Sequence, residues 1–444
     1  MAYPKPLDPK LLEQANRYAE LKHEYGARGI DRHLRRLERV LRAGAKRLRA
    51  LPDDAGLAAR EPNDLAAIRA LRPRGPRRLW PAFDAAAYGE RIAGALLGRM
   101  AGCTLGAPVE GQSIWRMENR AKSEGRPFPP RDYWLTVMEP YSPRYGTSPQ
   151  SAYTRGGMDG VPVDDDVAYT LLGLLVVEEF GPRFSVADNG RAWLKYLPMA
   201  CTAEDVALRN LKAGLPAQRA AEKDNPYAEW IGADIRSDPW GYMAPGWPEM
   251  AADMAWRDST LSHRRSGIYG AMYFAAAIAA AFAVDDPLEA LKIGLTEIPR
   301  GCRMAEAVRW ALRTAPRIEN FRQARAAVDR RFAGMHHVHT LNNACLTIFG
   351  ITIGGTDFTR VIGETVAMGL DNDCTAATAG SLVGAVVGKR GIPKHWYKRF
   401  HNTIRSYLIG HPEFQIDEVL MRFAAQAARA HRDGRMTGGG RPSP

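Results

Sequence analysis

Helix-length apolar segments separated by glycine- and proline-marked breaks run through most of the chain, and strand-like alternation is rare. Residues 7–24 read as a helix with Leu11, Leu12, Ala15, Tyr18 and Ala19 on one face. Gly26 and Gly29 break it, and Asp31 is placed to cap a second helix. Leu34, Leu37, Leu41, Leu48 and Leu51 recur along that helix at near-heptad spacing, with arginines on the other faces. The pattern predicts a basic helical hairpin, docked on the main body or on a second subunit. Pro52 and then Pro73-Arg74-Gly75-Pro76 mark a linker, with a boundary near residue 82.

From Tyr88 onward helix follows helix. Gly94, Gly98 and Gly102 lie four apart, as do Gly380, Gly384 and Gly388, so two helices present smooth faces suited to close backbone packing. The uncharged stretch from Gly267 to Val284 is alanine-rich, which predicts a helix buried on all sides rather than a membrane span. Residues 111–162 are rich in Pro, Gly, Tyr and Arg without periodicity, and read as a long irregular excursion. The expected organisation is a basic extension over 1–82, an all-α domain over 83–433 and a disordered tail over 434–444.

Charge changes this picture only at one end. Residues 1–82 hold nineteen Lys and Arg against ten Asp and Glu, which is nine of the net +12. Such a segment suits nucleic acid or an acidic partner, and equally a solvated helical face. The five cysteines are widely spaced without a CxxC pair, which argues against a disulfide framework or a zinc site. The N-terminal MAYPKPLDPKLLEQ lacks the apolar core of a signal peptide, so a cytoplasmic protein with no membrane contact is expected, as a monomer or homo-oligomer.

The candidate chemistry sits in two acidic clusters. Asp164, Asp165 and Asp166 precede the apolar run from Val167 to Val177, and Asp371 and Asp373 precede a small-residue apolar helix. Helix capping explains one aspartate in each cluster, with Asp373 as the N-cap of the second. Five carboxylates entering two buried helices are costly unless a counter-charge meets them. Brought together, they form an oxygen-rich cage for hard divalent cations, with Thr375 and the softer Cys374 beside it.

The segments GALLGRMAGCTLGAPVEG, VDDDVAYT, DSTLSHRRSGIYGAMYFAAA and TLNNACLTIFGITIGGTDFTRVIGETVAMGLDNDCTAATAGSLVGAVVG follow one another over about residues 85–430. In type and order they resemble the signatures of the ADP-ribosylglycohydrolases. The resemblance implies an orthogonal helical bundle with two Mg²⁺ ions, Mn²⁺ being an alternative ion, and cleavage of the bond at C1″ of ADP-ribose attached to an acceptor. It places the family's Thr-Asp-Asp-Thr motif on Asp164, Asp165, Asp166 and Val167. The Gly-Gly-Asp-Thr-Asp-Thr motif falls on Gly369, Leu370, Asp371, Asn372, Asp373 and Cys374. Metal ligands are thereby implied at Asp164, Asp165, Asp166, Asp371, Asp373 and Cys374, with hydroxyls replaced at Asp164 and Cys374. The family's Gly-Asp-x-x-Gly and following Glu match Gly102, Cys103, Gly106 and Glu110, and His263 matches its Ser/Thr-His pair. Either Glu110 or Asp166 is expected as catalytic base, the sequence not separating the two, and Gly106, His263 and Asn372 are expected toward the substrate. Trp134 and Tyr145 of the excursion are candidates to stack on adenine.

Two further readings stay open. One is hydrolysis of another ribosyl N-glycoside, such as a nucleoside, in the same cage. The other is a catalytically inactive ADP-ribose binder of immunity type, suggested by the departures at Cys103, Asp164, Val167 and Cys374. The acceptor, whether protein, nucleic acid or small molecule, is not encoded in these motifs.

Overall fold

The structure, a computed structural model, describes residues 3–4, 6–137 and 143–437. The chain divides into two units, Met1–Ala59 and Arg60–Pro444. Residues 438–444 of the expected tail lie outside the described residues, and 434–437 belong to the helix Ile416–Thr437.

The first unit holds the predicted hairpin, with helices Pro9–Glu24 and Ile30–Arg49. Asp8 caps the first, accepting from the Lys10 amide at 3.0 Å, and Pro9 takes the opening position that needs no donor. The second starts after Gly29 in left-handed backbone, with φ 80°, so Asp31 lies in the first turn rather than at the cap. There its charge still complements the helix dipole.

In the second unit the apolar faces converge on one core. Its centre is the pair Ala85–Gly106 and Asn372–Val387, which pack along the two glycine rows. A Cβ on Gly94 would collide with the Gly384 carbonyl, one on Gly98 with that of Gly380, and one on Gly102 with that of Ala376. The helices meet backbone to backbone, as the fourfold spacing predicts. Among the described residues one helical stretch, Ala85–Val109, is long and apolar enough to cross a membrane, but 94% of that window is buried inside the fold. The alanine-rich helix Ser266–Ala281 is buried at every residue and packs on Asp238–Met243 and Pro248–Ser259.

Three segments differ from the sequence expectation. Residues 60–82 are ordered within the second unit. Arg72 and Arg77 both bond the buried Glu297, Arg77 at 2.9 Å, and Glu61 holds Arg303 at 2.7 Å. These partners lie more than 200 residues away, so the Pro/Gly-rich stretch reads as linker locally while being fastened remotely. Within the excursion, Ile114–Ser123 is a helix capped by Ser113, with Met117 and Ala121 buried on one face. Near the C-terminus, Thr403–Leu408 and His411–Gln415 form an antiparallel hairpin pairing Ile404 with Phe414, the two-stranded sheet of an otherwise all-α fold.

Candidate active site

The two acidic clusters meet at the starts of two helices. Asp164 is extended and caps Asp165–Phe180, its Oδ1 accepting from the Asp166 amide at 3.2 Å. Asp371, not Asp373, is the N-cap of Asn372–Val387, and its side chain makes no capping bond. Capping therefore accounts for Asp164 but leaves Asp371 without that role. The preceding Leu370 has φ 63°, and its carbonyl accepts from the Gly111 amide at 3.0 Å, tying this turn to the Glu110 loop. Asn343 holds the Asp371 amide at 3.3 Å.

Asp164, Asp166, Asp371 and Asp373 are all buried. Oxygens of Glu110, Asp371 and Asp373 lie within 4.8 Å of one another, as do ligand atoms of Asp166, Asp373 and Cys374, and of Cys103, Asp164 and Asp166. Burial pushes the Asp164 carboxyl up to about 8 and raises Asp165, Asp166 and Asp371 as well. Glu110 is raised chiefly by the neighbouring charge of Asp373 and then by its own desolvation.

Two arginines enter this cluster. Arg99, fully buried, donates to Asp166 Oδ1 at 3.1 Å, Asp238 Oδ2 at 2.7 Å and Thr170 Oγ1 at 2.7 Å. Arg144 reaches in from the excursion, with Nη1 2.7 Å from Glu110 Oε2 and Nη2 2.9 Å from Asp164 Oδ2 and 2.8 Å from Asp373 Oδ2. Beside it the Tyr145 hydroxyl donates to Asp165 Oδ1 at 2.6 Å.

The carboxylates form one wall of a cavity of about 290 Å³. Glu110, Asp165, Asp371, Asp373, Cys374 and Tyr145 line that side. Trp230, His336, His337, Tyr169 and Glu204 also line the cavity. The His336 ring stacks on Trp230, with centroids 4.2 Å apart and planes at 14°. Glu204 pairs with Arg236 at 2.7 Å, while its buried Oε2 has no hydrogen-bond partner among the described residues. Burial pushes its carboxyl up to about 7 against the pull of Arg236.

Other expected site residues stand elsewhere. Asp166 does not line the cavity, and its Oδ2 accepts from the Cys374 thiol at 3.2 Å. Asn372 is buried, its Nδ2 donating to the Val366 carbonyl at 3.0 Å, and it does not line the cavity. His263 is buried against Ser262 Oγ at 2.8 Å, with burial lowering its basicity, and lies off the cavity too. Gly106 packs on the Asp373 backbone, where a Cβ would collide. Trp134 is buried, donating to the Leu105 carbonyl at 3.0 Å, whereas Tyr145 does line the cavity.

Sequence reasoning missed Arg99, Arg144, Glu204, Trp230 and His336. Arg99 had a visible signal as the lone charge within LLGRMAGCTLG, since a buried guanidinium demands carboxylate partners. The others come from loops and a helix start whose convergence leaves no local mark.

The donor set suits a hard divalent cation. Oxygen dominates it, and the buried Oδ1 atoms of Asp371 and Asp373 have no hydrogen-bond partner among the described residues, as expected of oxygens that await a cation. Among solved structures, an ADP-ribosylglycohydrolase-related protein complex is similar at 20% identity, covering 78% of this chain and 99% of its own, with a TM-score of 0.50. That likeness concerns the fold. No curated protein matches the chain. The family described as ADP-ribosylglycohydrolase matches residues 84–434, most of the chain and all of the site. The protein thus belongs to the ADP-ribosylglycohydrolase family, metal-dependent hydrolases that cleave glycosidic bonds in ADP-ribose-type substrates.

Proposed function

We propose that this chain is a Mg²⁺-dependent hydrolase that cleaves the C1″ glycosidic bond of ADP-ribose attached to a protein, nucleic acid or small-molecule acceptor. The observation that carries this reading is the convergence of Glu110, Asp371 and Asp373 on one wall of the cavity, with buried oxygens left unpartnered. Asp371 and Asp373, with Asp164, Asp165, Asp166 and Cys374 around them, would hold the ion. A bound divalent cation supplies positive charge that orients vicinal hydroxyls and favours ionisation of water.

The chain's own groups do the rest. Glu110 is the base on geometric grounds, because its side chain is 41% exposed and faces the cavity. Asp166 is fully buried and off the cavity, and belongs to the carboxylates around the ion rather than to the base. Glu110 accepts the proton of the attacking water, and the surrounding carboxylates stabilise the oxocarbenium character that develops at C1″. Trp230 and His336 offer an aromatic face to the base or acceptor. Hydrolysis of an ADP-ribosylated substrate should stop on adding EDTA and return with Mg²⁺. Activity indifferent to chelation would overturn the reading.

A second reading draws on the cavity size. At about 290 Å³ it lies at the small end of ligand sites, which favours a smaller ribosyl N-glycoside. Release of free base from nucleosides, measured beside release of ADP-ribose from peptides and nucleic acids, separates the two. Binding of ADP-ribose with no turnover of any of these substrates would identify an inactive binder instead. We place the protein in the cytoplasm and take the basic hairpin as a contact for nucleic acid or an acidic partner. Binding that weakens steeply with added salt is the expected signature.

A further inference from the structure

From the distribution of satisfied and unsatisfied oxygens in the cage, we propose that Arg144 is its built-in second cation, so that the chain binds one divalent ion rather than two. The inference rests on the reading that the cage binds a divalent ion and adds the number and location of that ion.

The two halves of the cage differ in what the protein already supplies. On the Asp164 side donors are in place. Asp164 Oδ1 accepts from the Asp166 amide and Oδ2 from Arg144. Asp165 Oδ1 accepts from Tyr145 and from the Asp166 amide. Asp166 Oδ1 accepts from Arg99 and Oδ2 from Cys374. On the other side Arg144 takes Glu110 Oε2 and Asp373 Oδ2, while Asp371 Oδ1 and Asp373 Oδ1 are buried with no partner among the described residues. Buried carboxylate oxygens are rarely left so. Of the three groups whose ligand atoms lie within 4.8 Å of one another, two include Asp166, whose oxygens are both engaged, and Glu110, Asp371 and Asp373 form the group that keeps the unpartnered oxygens.

Arg144 is held as a fixed part of the cage rather than as a stray surface side chain. It opens a tight turn in which its amide donates to the Ser148 carbonyl at 2.9 Å, while Tyr145 and Gly146 take positive φ, at 50° and 69°. Those two consecutive left-handed residues give the turn its sharp reversal. Ser148 Oγ accepts from the Val163 amide at 3.1 Å, which fastens the turn to the residue before Asp164. The guanidinium also donates to the Ala107 carbonyl at 3.2 Å and keeps only 13% of its side-chain surface exposed. A planar fork bridging three carboxylates does what a metal ion would do at that point, and it occupies the lone pairs the ion would need.

The test is metal stoichiometry rather than turnover. The metal-stripped full-length chain is titrated with Mn²⁺, free ion being counted by electron paramagnetic resonance and the result checked by calorimetry with Mg²⁺. The wild type should bind one ion. Arg144→Gln should bind two, and Arg144→Lys, which keeps a cation, should bind one. Two ions in the wild type would overturn the inference while leaving the metal-dependent reading intact. No ion in any form would sink both. One ion of unchanged affinity in Arg144→Gln would also overturn it. Should circular dichroism show that Arg144→Gln is unfolded, the wild-type count decides alone, one supporting and two refuting.

Discussion

Gly106 lies so close to Asp373 that a side-chain carbon on the glycine would collide with the aspartate's Cα and amide nitrogen. The contact fixes where a cage carboxylate begins, because Asp373 sits in the first turn of its helix and has no freedom to retreat along it.

Replacing Gly106 with alanine should therefore act on function and stability together. Overpacking a backbone contact costs about 1–3 kcal/mol. Thermal melting should show a loss in that range, and the Mn²⁺ titration should show weakened binding as Asp373 is displaced. Unchanged affinity in a folded Gly106→Ala protein would remove Gly106 from the list of residues that position the site.

Arg99 gives a sharper stability prediction. It is fully buried between Asp166 and Asp238, themselves fully buried. Arg99→Met leaves two uncompensated carboxyls in the core, at a cost of about 3–5 kcal/mol in denaturant unfolding. The double variant Arg99→Met/Asp238→Asn should recover part of that loss.

Glu204 predicts a pH dependence. Its folded carboxyl titrates at about 7, above the ordinary value of 4.5. The fold thus favours the protonated form, and stability falls as pH rises from about 4.5 to about 7, then levels off. The difference is on the order of 3 kcal/mol. Melting curves of wild type and Glu204→Gln in EDTA should diverge across that window, the wild type losing stability relative to the variant as pH rises. Parallel curves would show that Arg236 holds Glu204 ionised throughout.

Trp230 tests the aromatic wall. Trp230→Ala removes the face on which His336 stacks. About a tenfold rise in KM with kcat little changed is expected, corresponding to about 1.4 kcal/mol of lost binding. A fall in kcat at unchanged KM would instead place Trp230 among groups that act on the transition state.

What the chain disclosed in advance is what is encoded locally or by periodicity. The two acidic clusters were visible because each immediately precedes an apolar helix, and the paired helices because glycine recurs every fourth residue on both. Ile114–Ser123 was hidden by the Pro- and Arg-rich surroundings of its Ser113 cap. The strand Thr403–Leu408 was hidden because Ser406 occupies one of its buried positions and masks the alternation. His263 was legible both as a motif residue and as a core histidine, and it stands buried against its neighbour Ser262. Arg144 was illegible for another reason: its partners lie 34, 20 and 229 residues away, and nothing local in a loop arginine encodes such a meeting.

The helix Ala85–Gly106 carries Arg99, which secures Asp166, and ends at Gly106, which seats Asp373. One rod thus gauges both halves of the cage. Each residue added to or removed from it between Gly94 and Gly106 turns the far end by about 100°. A single-residue deletion there would swing Arg99 and Gly106 out of phase, and only a four-residue step comes near to restoring the mesh of the glycine rows. The rod behaves as a key cut to one pitch.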